Sequence, residues 1–266
     1  MLLHDLRARL GRPWRVLAIP LRGLARPLGI GTLPTLFNGE WIRVPRAVWQ
    51  GISVRYEPYM ARLLPRHLHS GDTFLDVGAN YGFWSLYAAK VVGPTGRVIA
   101  CEPAPEVYQV LAQSAKRCSV LTALQVGLGG RDAVVPFAAQ GNSECSSFSR
   151  EVTLKNRHWK PGVPVVEVPV TMRRVDSLVE ELKLRPRAMK IDVEGFELEV
   201  LKGARQTLIT HDCAVFLEVH PYQLRLSGGS EDSLRELLGS CGYDWTVIHR
   251  NPNTLYTVLA TRKGGT

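Results

Sequence analysis

The chain has 266 residues, of which 45% are hydrophobic, and it carries a formal net charge of +9. Its length suits one large α/β domain with additional segments, and its composition excludes a disordered or collagen-like chain. No apolar run approaches the ~18 residues that a membrane-spanning helix needs. The positive charge suits an acidic partner, but an ordinary basic surface explains it equally well.

Five cysteines are spread along the chain, and no two of them form a CxxC pair. An odd number without paired spacing argues against a disulfide framework and against a zinc site. Arginines interrupt the apolar residues near the N-terminus, so this region does not resemble a signal peptide. We therefore expect a protein of a reducing compartment, the cytoplasm.

The first part of the chain predicts short basic amphipathic helices with breaks, up to residue 36. Leucines recur there at near-helical spacing, and arginines lie between them. Residues 1–30 could therefore adsorb to the inner surface of a membrane, or they could pack on the main domain. Residues 38–57 then alternate as a strand pair does. We interpret residues 1–57 as an N-terminal extension.

Residues 58–262 form the predicted main domain, in which strands alternate with helices. This alternation predicts an α/β fold with a parallel sheet covered on both faces, and the last two strands suit an antiparallel pair. Asp176 is predicted to cap the helix that follows it. The predicted strands are 73–77, 97–101, 120–126, 133–137, 165–172, 188–191, 213–219, 245–249 and 254–261, and the predicted helices are 58–69, 81–92, 105–117, 176–184, 197–208 and 231–241.

One glycine-containing loop lies where the first core strand meets its helix, and it reads Asp76-Val77-Gly78-Ala79-Asn80-Tyr81-Gly82. In open α/β sheets, ligands bind at the carboxyl ends of the strands. Gly78 and Gly82 would allow a ligand to approach the backbone, and the start of the helix suits a carboxylate. The G-x-x-x-G spacing differs from the G-x-G-x-x-G of dinucleotide sites. Asp76 supplies the anion that the amino group of S-adenosylmethionine needs.

A second carboxylate strengthens this interpretation. Glu102 ends the second core strand, twenty residues after Gly82. A carboxylate at this place can accept hydrogen bonds from both hydroxyls of a ribose. Each feature alone also occurs in structural turns, but Asp76, the two glycines and Glu102 together favour S-adenosylmethionine as the cofactor.

Two further strand ends place acidic residues and a histidine on the same rim. They belong to the motifs Lys190-Ile191-Asp192-Val193-Glu194-Gly195-Phe196-Glu197 and Glu218-Val219-His220. Such a group could take the proton from an acceptor hydroxyl, hold a divalent ion, or form a hydrogen-bonded network in which Lys190 pairs with a carboxylate. We assign no metal and interpret the catalytic group as Asp192, Glu194, Glu218 and His220. Glu197 and Glu199 are interpreted as solvated helix residues.

With these motifs the chain resembles the FkbM family of methyltransferases over about residues 50 to 250. The resemblance rests on 72–82, Glu102-Pro103, 175–178, 190–197 and 218–220. It implies a Rossmann-like class I methyltransferase fold with a mostly parallel sheet of seven strands. It also implies O-methylation of a hydroxyl on a sugar, a glycolipid or a secondary metabolite.

The resemblance also assigns residues to roles. Asp192 and His220 would face the acceptor, and the polar segment 138–163 would carry acceptor specificity, because long loops over a site usually carry function. Glu102, with Pro103, would hold the ribose of the cofactor. The methionine end of the cofactor would be held by Asp76, Gly78, Ala79, Asn80, Tyr81 and Gly82.

Some features of this chain leave alternatives open. After the third core strand the family often has Asn and then a small residue, whereas this chain has Gln125 and then Val126, so the adenine contacts stay unassigned. Tyr81 and Trp84 could contact a sulfonium through their rings, or Trp84 could pack in the core. The alternative functions are an N-methyltransferase of small molecules and a non-catalytic S-adenosylmethionine-binding protein. A nucleic-acid substrate is disfavoured because no nucleic-acid-binding module is present.

Overall fold

The computed structural model describes residues 31–49, 55–140, 146–156, 162–251 and 255–264. The amphipathic helices predicted within residues 1–30 and the predicted strand around residues 52–54 lie outside these residues. Within them, no helix combines the length and the apolar character that a membrane span requires.

The described chain opens with an antiparallel hairpin of β1 (Thr32–Phe37) and β2 (Glu40–Pro45). The prediction for this region was wrong, because the partner of β2 precedes it and lies in the segment that we interpreted as helical. The turn explains the difference. Asn38 and Gly39 both have positive φ, as the two central residues of a tight Asn-Gly hairpin turn require.

The remaining elements alternate largely as predicted. They are α1 (Pro58–His67), β3 (Thr73–Val77), α2 (Phe83–Val92), β4 (Arg97–Cys101), α3 (Pro105–Ala115), β5 (Leu121–Leu124), β6 (Gly127–Leu128), β7 (Ala133–Ala139), α4 (Arg150–Asn156), β8 (Val166–Arg173), α5 (Val175–Glu181), β9 (Pro186–Ile191), α6 (Glu197–Gly203), α7 (Arg205–Thr210), β10 (Ala214–Val219), α8 (Pro221–Leu226), α9 (Glu231–Ser240), β11 (Tyr243–Arg250) and β12 (Tyr256–Arg262).

Seven strands form the main sheet in the order β5-β4-β3-β9-β10-β12-β11. β12 pairs antiparallel with both β10 and β11, and the other pairs are parallel. The predicted fold class and the antiparallel C-terminal pair are confirmed. The chain runs from β3 outward to β5 and later returns to β9 on the other side of β3. This reversal makes a crevice at the carboxyl ends of β3 and β9, where open α/β sheets bind ligands.

Two hydrophobic cores cover the two faces of this sheet, because successive strand residues point to opposite sides. Leu75 and Met189 belong to the core that packs against α5, α6, α7 and α9. Phe74 and Phe216 belong to the other core, which packs against α1, α2 and α3. The hairpin joins this second core through Phe37, whose complete burial contributes about 1.5–3 kcal/mol.

Three details differ from the predictions. The helix predicted over 197–208 is two helices, α6 and α7, which meet at Ala204. The strand predicted over 120–126 stops at Leu124, and β6 joins a second sheet in the order β6-β8-β7. Asp176 lies in the first turn of α5, whose N-cap is Arg174. Its carboxylate instead accepts hydrogen bonds from backbone N–H groups of α7, so it caps a different helix from the one predicted.

Candidate active site

A cavity of about 440 Å³ lies at the carboxyl ends of β3, β4, β9 and β10. This volume is within the range of sites for small molecules. Among its walls are most of the residues that the motifs singled out, which are Gly78, Ala79, Asn80, Glu102, Pro103, Lys190, Asp192, Glu194, Glu218 and His220. The other lining residues come from helices α2 and α3, from β4, from the second sheet and from loops.

Gly78, Ala79 and Asn80 of the glycine loop line this cavity. Gly78 and Gly82 have φ of 74° and 80°, so each adopts a left-handed conformation that favours glycine. A Cβ on Gly78 would lie 1.9 Å from the backbone oxygen of Asp192, and a Cβ on Gly82 would lie 2.4 Å from the side chain of Leu111. Contacts within the protein therefore already explain both glycines, whereas we had attributed them to approach by a ligand.

Glu102 lies on the cavity wall and is oriented by the glycine loop. One carboxylate oxygen accepts a hydrogen bond from the backbone N–H of Asn80 at 2.9 Å, and the other accepts from that of Ala104 at 2.8 Å. Burial raises the pKa of Glu102 to about 7, although these two hydrogen bonds oppose the shift. The carboxylate is thus fixed in place beside the cavity, where we expected a ribose contact.

Three residues of the predicted cofactor loop do not line the cavity: Asp76, Tyr81 and Gly82. The Asp76 carboxylate is fully buried behind the wall and accepts a hydrogen bond from the Ser85 hydroxyl at 2.5 Å. Burial raises the pKa of Asp76, although Lys190 opposes the shift. A direct contact between Asp76 and a cofactor amino group therefore stays a prediction without support from the cavity lining.

Part of the cavity wall is apolar, and the sequence motifs did not reveal it. Val107 of α3, Leu128 of β6 and Phe137 of β7 line it together with Phe148. The rings of Phe137 and Phe148 meet edge to face, with centroids 4.9 Å apart. Gly127 lies directly under Phe148, because a Cβ there would be 2.1 Å from the ring. A flat apolar group such as a purine fits against such a surface.

The cavity also holds the acidic cluster, which we define as Asp192, Glu194, Glu218 and His220. Parallel pairing of β9 with β10 aligns Ile191 with Leu217, so the residues that follow each of them share one face. The His220 Nε2 atom lies 3.9 Å from Asp192 Oδ1, 3.7 Å from Glu194 Oε1 and 3.9 Å from Glu218 Oε1. The structure therefore brings together all four residues that the sequence placed on one rim.

Lys190 pairs with this cluster, as the network interpretation expected. Its ammonium group donates a hydrogen bond to Asp192 Oδ2 at 2.9 Å, and its side chain is almost fully buried. Burial alone would raise the pKa of Asp192, but Lys190 and His220 outweigh it and lower that pKa. Burial raises the pKa of Glu218 to about 8, and the charges of Asp192 and Glu57 add to the shift.

Glu197 orients the histidine, so our interpretation of Glu197 as a solvated residue was wrong. Its side chain is fully buried, and Oε1 accepts a hydrogen bond from His220 Nδ1 at 2.8 Å. The same oxygen accepts the backbone N–H of Gly195 at 2.9 Å. Burial lowers the pKa of His220, but the carboxylates of Glu194, Glu197 and Asp192 outweigh burial and raise that pKa well above its ordinary value.

The N-terminal hairpin completes the wall beside the acidic cluster. Asn38 in the hairpin turn exchanges two hydrogen bonds with the backbone of Tyr56, at 2.5 and 3.0 Å. Tyr56 lines the cavity, and the next residue, Glu57, accepts a hydrogen bond from Trp84 Nε1 at 2.7 Å. Trp84 is 4% exposed and packs edge to face against Phe37, so most of its side chain lies in the core.

Residues 76–245 match the family model described as the methyltransferase FkbM domain. The chain belongs to this family. It is 30% identical over 161 residues to methyltransferase sdnD of Sordaria araneosa, and this alignment covers 52% of the chain and 62% of the relative. It is 28% identical over 179 residues to hexuronic acid methyltransferase AglP of Haloferax volcanii, where 65% of the chain and 66% of the relative are covered.

A solved structure of the FkbM methyltransferase from Methylobacillus flagellatus KT aligns with 72% of this chain and 44% of its own, at 21% identity and a TM-score of 0.49. The chain thus spans less than two thirds of the length of each of these three proteins. The resemblance to the FkbM family that the motifs indicated is confirmed by the family match.

In this FkbM family member, residues before and after the matched segment also line the cavity. Tyr56 precedes the segment and Leu255 follows it, yet both line the cavity. The matched segment therefore contains the glycine loop and the acidic cluster, and flanking residues of this chain complete the walls.

Proposed function

We propose that this chain is an S-adenosylmethionine-dependent O-methyltransferase that acts on a hydroxyl of a sugar, a glycolipid or a secondary metabolite. One observation carries the proposal: Glu102, an apolar wall and the acidic cluster line a single cavity. In the proposal, Glu102 and the apolar wall form the first end, which holds the cofactor, and the acidic cluster forms the second end, which holds the acceptor. The similarity to a protein named as a hexuronic acid methyltransferase supports a sugar acceptor.

The residues at the first end fit S-adenosylmethionine. Each Glu102 oxygen accepts one backbone hydrogen bond and keeps a lone pair for a hydroxyl, as a ribose would require. The wall formed by Val107, Leu128 and the two phenylalanines suits an adenine ring. When bound, the cofactor supplies an electrophilic methyl group on a sulfonium. The chain contributes orientation, which can supply much of the rate of such a transfer.

The residues at the second end fit a hydroxyl acceptor. Asp192, Glu218 and His220 line the cavity. The Asp192 carboxylate, whose pKa is lowered, can accept a hydrogen bond or a proton, whereas His220, whose pKa is raised, can donate a hydrogen bond. General-base help of this kind contributes about 10²–10⁴-fold to a rate. Lys190 keeps Asp192 oriented, and Glu197 keeps His220 oriented, so these two are positioning residues.

The segment 138–163 supplies the acceptor side in this proposal. Within its described part, Ser146 and Ser147 line the cavity, whereas Phe148 belongs to the apolar wall that we assign to the cofactor. The Ser147 hydroxyl donates a hydrogen bond to the backbone oxygen of Glu194 at 3.2 Å, which fastens this segment to the acidic cluster. A change of acceptor between family members would act on this segment without disturbing Glu102.

The proposal is tested with two variants that separate cofactor binding from methyl transfer. Glu102→Ala removes the ribose acceptor, so we expect calorimetry to show at least a tenfold loss of affinity for S-adenosylhomocysteine. Asp192→Asn keeps the shape at the other end, so we expect affinity within about twofold of wild type but a rate lowered about 10²-fold. The rate is measured as transfer of labelled methyl groups to a panel of hexuronic acids, glycolipids and amines.

Each result has a contrary outcome. Unchanged affinity in Glu102→Ala would remove the proposed ribose contact. Transfer to amines but to no hydroxyl compound would replace the proposal with N-methylation. Tight binding of S-adenosylhomocysteine without transfer to any compound of the panel would favour a non-catalytic binding protein.

A further inference from the structure

We propose that Asp192, Glu218 and His220 bind one hard divalent cation of the Mg²⁺ or Mn²⁺ type at the acceptor end of the cavity. The role of the ion rests on the proposed function, whereas its binding does not. Each of the three side chains offers one ligand atom, and these atoms all lie within 4.8 Å of one another.

The distances suit a shared ion better than a direct network. Nε2 of His220 lies 3.9 Å from Asp192 Oδ1 and 3.9 Å from Glu218 Oε1, which is too long for hydrogen bonds. Two ligand atoms about 2.1 Å from one ion lie about 3.0 Å apart at a right angle and about 4.2 Å apart on opposite sides. The two separations from Nε2 fall within this interval, and the three ligand atoms all lie within 4.8 Å of one another, so one ion can lie between them after side-chain movements that bring the atoms closer.

The histidine provides an independent indication of a ligand. The His220 side chain is 3% exposed, and among the described residues its Nε2 atom has no hydrogen-bond partner although it points at the three carboxylates. Its other nitrogen, Nδ1, is bonded to the buried carboxylate of Glu197. Metal-binding histidines typically have a carboxylate or carbonyl partner on the second nitrogen, which fixes the ring orientation. Glu197 gives His220 this arrangement.

The local charge also favours a cation. The carboxylates of Glu194 and Glu197 accompany those of the two proposed acidic ligands, and Glu57 lies close enough to influence Asp192. The buried basic side chains among the described residues are Lys190 and His220. Carboxyl groups therefore outnumber buried basic side chains around the cavity, and a bound divalent ion would favour the ionised form of Glu218, whose pKa is raised without it.

Lys190 does not block this site. Its ammonium group contacts Asp192 Oδ2, whereas Oδ1 is the atom that faces His220. The lysine therefore holds the carboxylate with one oxygen directed at the proposed ion. Glu194 Oε1 also lies near His220 Nε2, at 3.7 Å, and is in place to act as a fourth ligand.

The ligand set favours a hard cation. Two carboxylates with one imidazole form an oxygen-rich set, which suits Mg²⁺ or Mn²⁺ better than the thiolate-rich sets of soft metals. Because the ligands line the cavity, an acceptor hydroxyl could occupy a remaining coordination position. An ion there would lower the pKa of that hydroxyl and orient its oxygen.

The test is a titration of the full chain with Mn²⁺ alone, without a methyl donor, monitored by electron paramagnetic resonance of free Mn²⁺. We expect one bound ion per chain. Glu218→Gln and His220→Ala should each weaken binding at least tenfold. Glu197→Gln should weaken it about 10–100-fold, since it removes the partner that orients the ligand. Mg²⁺ should compete for the same site.

Glu199→Gln is the matched control, because Glu199 lies near this site in sequence but pairs with Lys202 on the surface. It should bind Mn²⁺ as the unchanged chain does. Circular dichroism identifies any variant that fails to fold, and Glu218→Gln, which keeps the side-chain shape, then decides. The proposal is overturned if the chain binds no Mn²⁺, or if Glu218→Gln binds it as tightly as Glu199→Gln.

These results are independent of the proposed function. Mn²⁺ binding without any methyl transfer would leave the ion site intact and contradict the methyltransferase proposal. Methyl transfer that persists in the presence of a chelator, by a chain that binds no Mn²⁺, would support the methyltransferase proposal and contradict the ion site.

Discussion

At the scale of single residues, three of the five described residues other than glycine that have a positive φ lie at or next to the cavity. Glu57, Asn80 and Glu194 have φ between 46° and 50°, in the left-handed region that residues other than glycine rarely adopt. Each such residue costs about 1–3 kcal/mol and persists where its surroundings hold it. Here the Asn80 N–H is held by Glu102, the Glu194 carbonyl by Ser147, and the Glu57 carboxylate by Trp84. The strained positions therefore coincide with the contacts that shape the site.

Gly78 links the cofactor loop to the acidic cluster, and this leads to a prediction. In Gly78→Ala the new Cβ would lie 1.9 Å from the backbone oxygen of Asp192, so the loop or the end of β9 must move. We expect a loss of unfolding free energy about 1–3 kcal/mol larger than in Gly242→Ala. Gly242 is the control because it has a similar φ of 83° but no neighbour within 4 Å of a Cβ.

Urea unfolding of both variants measures this difference. Equal losses would show that only the positive φ matters at Gly78. A larger loss in Gly78→Ala, together with weaker binding of S-adenosylhomocysteine, would show that the two halves of the cavity share this contact.

The sequence alone predicted that some of these residues belong to the site, and it did not identify others. Asp192, Glu218 and His220 could be assigned to one rim because they end neighbouring parallel strands. Glu197 could not be assigned, because a glutamate in a first helical turn is usually solvated and only the fold brings His220 against it. Phe148 reaches the cavity from the segment between β7 and α4, so no local spacing indicates it.

At the scale of elements, α5 and α7 are joined by one side chain. The Asp176 carboxylate accepts hydrogen bonds from the backbone N–H of Gln206 at 3.0 Å and from that of Thr207 at 2.7 Å. These N–H groups belong to the first turn of α7 and have no partner within that helix. Asp176 therefore takes the role of an N-cap from outside the helix.

We expect Asp176→Ala to lower the free energy of unfolding by about 1–2 kcal/mol, as loss of a helix cap does. Chemical unfolding followed by circular dichroism measures the change. Glu180→Ala is the control, since Glu180 lies exposed on the same helix α5. If both substitutions have the same effect, the hydrogen bonds to α7 do not contribute to stability.

Periodicity predicted the core strands well, because β3, β4, β9 and β10 are short apolar runs between helices. Contacts between distant residues decided the features that it missed. The break at Ala204 between α6 and α7 leaves the helical pattern of apolar residues intact. The partner of β2 was misplaced because the residues after position 50 alternate as a strand does, just as those of β1 do. The Asn38-Gly39 turn was the better local indication that β1 and β2 form the hairpin.

At the scale of the whole molecule, positive charge is unevenly distributed. Residues 1–30 contain six arginines and one aspartate. A second cavity, beside β2, is lined by Arg43, Lys90 and Arg117, and the neighbouring Trp41 is 55% exposed. Basic side chains with an accessible tryptophan suit the surface of an anionic membrane.

We expect the full chain to sediment with anionic vesicles and a chain that begins at Gly31 to lose at least tenfold in that affinity, since each basic residue contributes about 1 kcal/mol at such a surface. Neutral vesicles serve as the control, and added salt should release the full chain. Equal sedimentation of both chains would assign residues 1–30 to another task. The shortened chain keeps the hairpin, because β1 begins at Thr32.

The hydrogen bonds between the hairpin and Tyr56, which precedes Glu57, limit which segments can be exchanged between members of this enzyme family. A chimaera that exchanges only residues 76–245 would transplant Glu102 and the acidic cluster but leave behind the wall made by the hairpin side. Trp84 would arrive without the glutamate that accepts its hydrogen bond. Chimaeras that aim to transfer the choice of acceptor should therefore exchange residues 31–255 as one segment. The turn at Asn38 and the strained backbone at Glu57 are then transferred together with the cavity.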